Sequence, residues 1–235
     1  MIGQCGVAPP RDGVVLLHGT ARRASSMRSL ERAFAAAGYA TLNIDYPARQ
    51  AALGTIAGII RSDIATFSAR VAQVHFVTHS MGGLVARALI TRHRPAKLGR
   101  VVMLGPPNGG SEVADALRHS RLYRRFFGPA GAQLATQRSE TLTRLVGPVD
   151  YPLGIIAADR SLYPLESWLL LPGPNDGRVT VARTRVDGMS AHLTLHTTHI
   201  TMMWNHRVIR EALHFVREGR FASDRAFSRE EAAPR

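Results

Sequence analysis

The sequence predicts an α/β fold with a mostly parallel sheet of about six strands and helices on both faces. Three observations point there. Short β-branched apolar runs recur along the chain. Stretches with apolar residues at helical spacing separate them. No internal repeat divides the 235 residues, a length that suits one domain of ordinary size.

The elements follow in order. Val14-Val15-Leu16-Leu17 reads as a fully buried strand ending at His18-Gly19. Ser25 or Ser26 can cap a helix through Met27, Leu30, Phe34 and Ala37, which Gly38 stops. Tyr39 to Asp45 is the second strand, and a helix spans roughly Thr55 to Ala69. Val71 to Val77 is the third strand and runs into Thr78-His79-Ser80-Met81-Gly82-Gly83. Leu84 to His93 is helical and ends before Pro95. Val101 to Leu104 and Leu153 to Ala158 are the fourth and fifth strands, and the sixth lies within Arg183 to Leu195. The last helix covers about Met202 to Arg217. Residues 1–220 are expected to form one domain with an insert at about 105–150, and 221–235 a flexible tail.

Composition narrows the function. The chain is 45% apolar and 20% charged, which excludes global disorder. No apolar run approaches the roughly 18–20 residues that span a bilayer. Met1 to Pro10 lacks a basic start and an apolar core, so no signal peptide is read and a cytoplasmic location is expected. Cys5 is the sole cysteine, which excludes an intramolecular disulfide and a multi-cysteine metal site. The formal charge is +13, nearly all of it arginine scattered along the chain. It lacks the stripe-like clustering of a nucleic-acid binder, so no nucleic-acid partner is expected.

Four segments carry chemistry. Ser80 stands between a strand and a helix in His79-Ser80-Met81-Gly82, the layout of a nucleophile elbow, with Thr78 in place of its first glycine. The helix after Ser80 would aim its positive end at the site. His18-Gly19-Thr20 follows the first strand. Backbone N–H groups of Thr20 and Met81 are the expected oxyanion donors, with His18 and Gly19 supporting the loop. Of the late histidines, His199 lies between the last strand and the last helix, where a base is needed. His192 and His196 fall in or near the strand, and His206 and His214 on the helix. Asp159, Glu166, Asp176 and Asp187 qualify by order as the acid that orients the base. Asp176 is preferred, in the turn Pro174-Asn175-Asp176-Gly177 before an extended Val179-Thr180-Val181, and Asp159 is second.

With these residues in view, the chain resembles the α/β-hydrolase superfamily, near the small bacterial lipases and esterases. The likeness spans roughly residues 12 to 220. It rests on His18-Gly19-Thr20, Asp45-Tyr46-Pro47, His79-Ser80-Met81-Gly82-Gly83, Gly105-Pro106-Pro107-Asn108-Gly109-Gly110-Ser111, Asp176-Gly177-Arg178-Val179-Thr180-Val181 and Thr198-His199-Ile200. Thr78 departs from the usual glycine, and the chain starts almost at the first core strand, so the sheet is expected to lack the two leading strands of the full fold and keep about six. The resemblance implies ester hydrolysis through an acyl-enzyme on Ser80 with Asp176 and His199. It implies a small-molecule or lipid ester as substrate, and no metal or organic cofactor.

In the insert, Arg118, Arg121, Arg124 and Arg125 interleave with Leu117, Leu122, Tyr123, Phe126 and Phe127. A packed cap helix with a solvated basic side is the plainer reading. A lid with peripheral contact to an anionic lipid surface is the sharper one, and a partner surface is a third. Trp168 to Leu171 is expected to pack in the core or line the acyl pocket. An acyltransferase or thioesterase would use the same triad, and a non-catalytic binding protein of this fold is the alternative from another class. Oligomeric state is not legible.

Overall fold

The computed structural model describes residues 10–117 and 119–223. Six strands form one sheet: β1 (Gly13–Leu17), β2 (Ala40–Ile44), β3 (Val74–His79), β4 (Leu98–Leu104), β5 (Leu153–Ala158) and β6 (Ala191–Leu195). Their spatial order is β2-β1-β3-β4-β5-β6, and every pairing is parallel. The chain leaves β1 for β2 on one side and returns to β3 on the other. This reversal of winding opens a crevice at the carboxyl ends of β1 and β3, where an open α/β sheet binds ligands.

Side-chain alternation divides the core into two layers. Val15 and Leu17 point to one face, Val14 and Leu16 to the other. Helices α2 (Leu53–Ala69), α3 (Met81–His93) and α6 (Glu140–Val146) cover the first face. In α2 the buried residues Leu53, Ile56, Ala57, Ile60 and Ile64 follow helical spacing. Helices α1 (Arg28–Ala36) and α9 (His206–Glu218) cover the second face through Leu30, Phe34, Val208, Ala212 and Phe215. Gly154 of β5 leaves room for the Phe215 ring, since a Cβ there would lie 2.7 Å from it.

Between β4 and β5 the insert contributes α4 (Glu112–Leu117) and α5 (Arg121–Ala132) before α6. Gly128 interrupts α5 at φ +66°, and a side chain there would strike the Arg49 carbonyl. Arg118 lies outside the described residues, as do the side chains of Leu122, Arg124 and Phe126. Between β5 and β6 lie α7 (Pro164–Leu170) and α8 (Val181–Thr184).

Local sequence misjudged four places. The last helix begins at His206, because the Asn205 side chain accepts the N–H groups of Arg207 and Val208 and caps it there. Val181 opens helix α8 instead of ending an extended run, because the Thr180 hydroxyl caps that helix by accepting the Arg183 N–H. Phe221 is buried against Phe215, and Glu211 accepts from the backbone of Ala222 and Ser223, so the first residues assigned to the tail are packed. Residues 224–235 lie outside the description, as does Cys5. Trp168 is 80% exposed and Leu169 65%, so they are not core. Pro164 starts α7 in a phase that turns Ser167 inward, where its hydroxyl donates to Ser161, and turns the apolar face to solvent.

Phe215→Ala is expected to cost about 3–5 kcal/mol as a buried aromatic deletion. Trp168→Ala should stay within about 0.5 kcal/mol as a surface change. Urea denaturation of both variants measures this, and equal losses would contradict the placement of Trp168.

Candidate active site

Strand β3 ends at His79, and Ser80 makes the turn into α3 with φ +53° and ψ −126°. A non-glycine residue held at positive φ stores about 1–3 kcal/mol, which the surroundings must offset. Here they do so by close packing. A Cβ on Gly82 would lie 2.5 Å from the Leu17 carbonyl oxygen and 2.7 Å from that of His18. Only glycine lets α3 start so close to β1. Thr78, the departure from the usual glycine, is fully buried, and its hydroxyl donates to the Val102 carbonyl at 3.5 Å. The larger side chain is thus accommodated within the sheet.

His199 lies in the loop after β6. Its Nε2 is 3.0 Å from Ser80 Oγ, and its Nδ1 is 2.6 Å from Asp176 Oδ2. The other oxygen of Asp176 accepts the backbone N–H groups of Arg178 at 2.9 Å and Val179 at 2.7 Å. The carboxylate is 2% exposed and fully engaged. Gly105, at φ +53°, follows β4 beside this pair, where a Cβ would lie 3.0 Å from Asp176 Oδ2 and 3.1 Å from His199 Nδ1. The remaining carboxylates stand elsewhere. Asp159 pairs with the exposed His196 at 3.0 Å, and Asp187 is exposed beyond α8. The Glu166 side chain lies outside the description. His192 bonds the Thr184 hydroxyl, His214 bonds the Arg220 carbonyl, and His206 opens α9.

The loop after β1 completes the site. Its His18 is fully buried and stacks on Tyr46 at 4.0 Å, while the Tyr46 hydroxyl donates to the His18 carbonyl. Gly19 allows contact, since a Cβ there would lie 3.0 Å from Ser80 Cβ. The Thr20 hydroxyl donates to Met81 Sδ at 2.8 Å and ties the two loops together. Met81 is the first residue of α3, so its N–H is one that a helix leaves without an intrahelical acceptor. Ala21 has φ +56°, a second strained position beside the serine. The geometry therefore joins Ser80, His199 and Asp176 directly and brings Thr20, Met81, His18 and Gly19 alongside.

Two residues had no individual role in the sequence reading. Tyr46 buttresses His18, and only its place after β2 hints at this. His79 is buried beside His199, with ring centroids 4.8 Å apart. Its Nε2 lies 2.9 Å from the His199 carbonyl oxygen, which can only accept, so Nε2 carries the proton. Burial pushes the His79 pKa well below its ordinary value, with the nearby His199 next in effect. His79 is thus a neutral strut that fixes the His199 backbone.

A cavity of about 340 Å³ opens on Ser80 and His199. The insert supplies its apolar wall through Val113, Ala114, Tyr123, Phe127 and Leu134. Other surface hollows, between α1 and α9 and between α2 and α3, lie away from the serine. The arrangement can pass a hydroxyl proton to an imidazole held by a carboxylate, beside a pocket that suits an apolar chain.

Burial lowers the pKa values of His18, His75, His79 and His192, the last to about 4. An unfolded chain takes up protons at these positions below about pH 6.5, whereas the fold resists doing so. Stability is therefore fully present above pH 6.5 and falls as pH drops. The urea midpoint should be clearly lower at pH 5.0 than at 7.5. Equal midpoints would contradict neutral buried histidines.

Residues 14–232 match the model of the alpha/beta hydrolase family. No curated protein matches the chain in sequence. The mature Bacillus licheniformis lipase BlEst2 superposes with a TM-score of 0.68 at 20% identity, covering 88% of this chain and 90% of that one. A metagenomic carboxyl esterase, MGS0156, gives 0.65 at 20% identity over 84% and 67%. Phospholipase PlaB from Legionella pneumophila gives 0.58 at 19% identity over 74% and 45%. At these identities the structural likeness speaks to the fold alone. With the family model spanning nearly the whole chain, the protein belongs to the alpha/beta hydrolase family.

Proposed function

We propose that the protein is a serine hydrolase that cleaves carboxylic esters through an acyl-enzyme on Ser80. The observation that carries this is the relay of Ser80 Oγ, His199 and Asp176 at 3.0 and 2.6 Å. His199 Nε2 takes the Ser80 proton as Oγ attacks the ester carbonyl. The N–H groups of Thr20 and Met81 hold the oxyanion. His199 then protonates the departing alcohol, and water, activated by the same imidazole, releases the acid. Asp176 keeps the Nδ1 proton in place and steadies the imidazolium. The apolar wall of the cavity receives the acyl chain. Structural neighbours described as lipase, carboxyl esterase and phospholipase support an ester substrate, either a small molecule or a lipid.

The same reading includes peripheral contact with an anionic lipid surface, on a different element from the insert helix. Leu162, Tyr163, Leu165, Trp168 and Leu169 are 47–71% exposed apart from Trp168 at 80%, and they form one apolar patch on and before α7. Leu162 and Tyr163 border His199. An exposed apolar patch with a tryptophan suits the boundary between headgroups and acyl chains. The +13 charge of the chain favours anionic lipid there. Among the described residues no helix is long and apolar enough to cross a membrane.

A fluorophosphonate probe should label the native chain, and Ser80→Ala should abolish both labelling and p-nitrophenyl butyrate hydrolysis, the latter by at least about 10⁴-fold. Labelling that persists in Ser80→Ala, or is absent from folded native protein, would overturn the reading. For the surface contact, the chain should cosediment with phosphatidylglycerol vesicles more than with phosphatidylcholine vesicles. Trp168→Ala combined with Leu165→Ala should weaken this binding about tenfold or more. Unchanged binding in that variant would remove α7 from the contact.

A further inference from the structure

We propose that Arg87 and Arg138 hold a small inorganic anion, a halide by its chemistry, in a buried site apart from the ester-binding cavity. The site goes beyond the ester-hydrolase reading and stands whether or not Ser80 cleaves esters.

Arg87 lies on α3 and is only 5% exposed. Its Nη1 donates to Asn108 Oδ1 at 3.0 Å, and its Nη2 donates to the Gly147 carbonyl at 2.6 Å. Arg138 lies in the insert just before α6 and is half-buried. Its Nη2 donates to the Pro107 carbonyl at 2.6 Å. Pro107 and Asn108 are consecutive, so one short loop draws the two guanidinium groups together. Every one of these acceptors is neutral. Among the described residues no carboxylate pairs with either arginine. Burial lowers the Arg138 pKa to about 10, and the nearby Arg87 charge adds to the effect.

Three buried donors here have no acceptor among the described residues: Arg87 Nε, Arg138 Nε and the Tyr151 hydroxyl. Tyr151 is 6% exposed and stands close enough to Arg87 for each to perturb the other's titration. None of the three residues lines the cavity on Ser80. A buried donor without an acceptor is costly, and a pair of buried cations without a counter-charge is more so. Water would satisfy the donors and leave the charges. A single anion accepting from them offsets both. Both terminal nitrogens of Arg87 are already engaged, so it has no free fork for a carboxylate or a phosphate. Single N–H and O–H donors from separate elements suit a spherical ion. Bound there, it would tie α3 and the insert to the loop whose Pro107 borders the cavity.

The native chain is melted at a fixed ionic strength of about 150 mM, with sodium gluconate replaced stepwise by sodium chloride. The Tm should rise saturably, by about 3 °C or more once chloride is about tenfold above its half-saturating level. Bromide should act likewise. Ser80→Ala should keep the whole increment, which separates this site from the ester chemistry. Arg138→Met should shrink the increment, and Arg87→Met combined with Arg138→Met should abolish it. In crystals of the native chain grown with sodium bromide, an anomalous peak should lie between the Nε atoms of Arg87 and Arg138. That measurement needs no variant to fold.

Equal Tm values in gluconate and chloride, an increment that survives loss of both arginines, or a water at that position would each overturn the site. A bromide peak with no chloride increment in solution would mean an adventitious ion only, and would overturn it as well.

Discussion

The contact on which the site depends is the approach of Gly82 to the carbonyls of Leu17 and His18. A single methyl group there would stand 2.5 Å from one oxygen. Because the position is bare, α3 begins directly against the end of β1. That approach forces Ser80 into its positive-φ turn and sets it next to the Gly19-Thr20 loop. The strain at Ser80 and Ala21 is held by parallel pairing of β1 with β2 and β3, whose buried residues fill both core layers. The sheet thereby keeps a hydroxyl in a conformation that local energetics disfavour.

Around that contact the polar groups form a closed set. Asp176 spends one oxygen on its own turn and the other on His199. His79 supports the His199 backbone from beneath, and Tyr46 supports His18 by stacking and by its hydroxyl. Each such partner removes a motion that would lengthen the distance from Ser80 to His199. Rigid placement of this kind is how a site of weak individual groups becomes chemically competent.

Much of this was legible in the sequence, for physical reasons. Buried parallel strands are short β-branched runs, and an elbow serine needs a small residue two positions later, so β1, β3 and the Ser80 turn could be read directly. His199 and Asp176 followed from their order relative to strand ends. Residues whose role is set only by tertiary neighbours were not legible. Tyr46 and His79 act on groups brought close by the fold, and nothing local marks them. Trp168 looked like core because an apolar run carries no sign of which face will be covered. The phase of α7, set by Pro164 and anchored by Ser167, turned it outward. Asn205 delayed the start of the last helix and Thr180 opened a short helix in place of an extended run, each by supplying a cap that spacing alone did not weigh.

The central claim is that Ser80 attacks while Thr20 and Met81 receive the oxyanion. A crystal structure of the chain inactivated with an alkyl phosphonate ester tests this most directly. The account predicts phosphorus bonded to Ser80 Oγ, the phosphoryl oxygen about 2.7–3.1 Å from the N–H groups of both Thr20 and Met81, and the alkyl chain against Tyr123 and Phe127. Phosphorus on another residue, or a phosphoryl oxygen turned to solvent with those N–H groups unengaged, would contradict it.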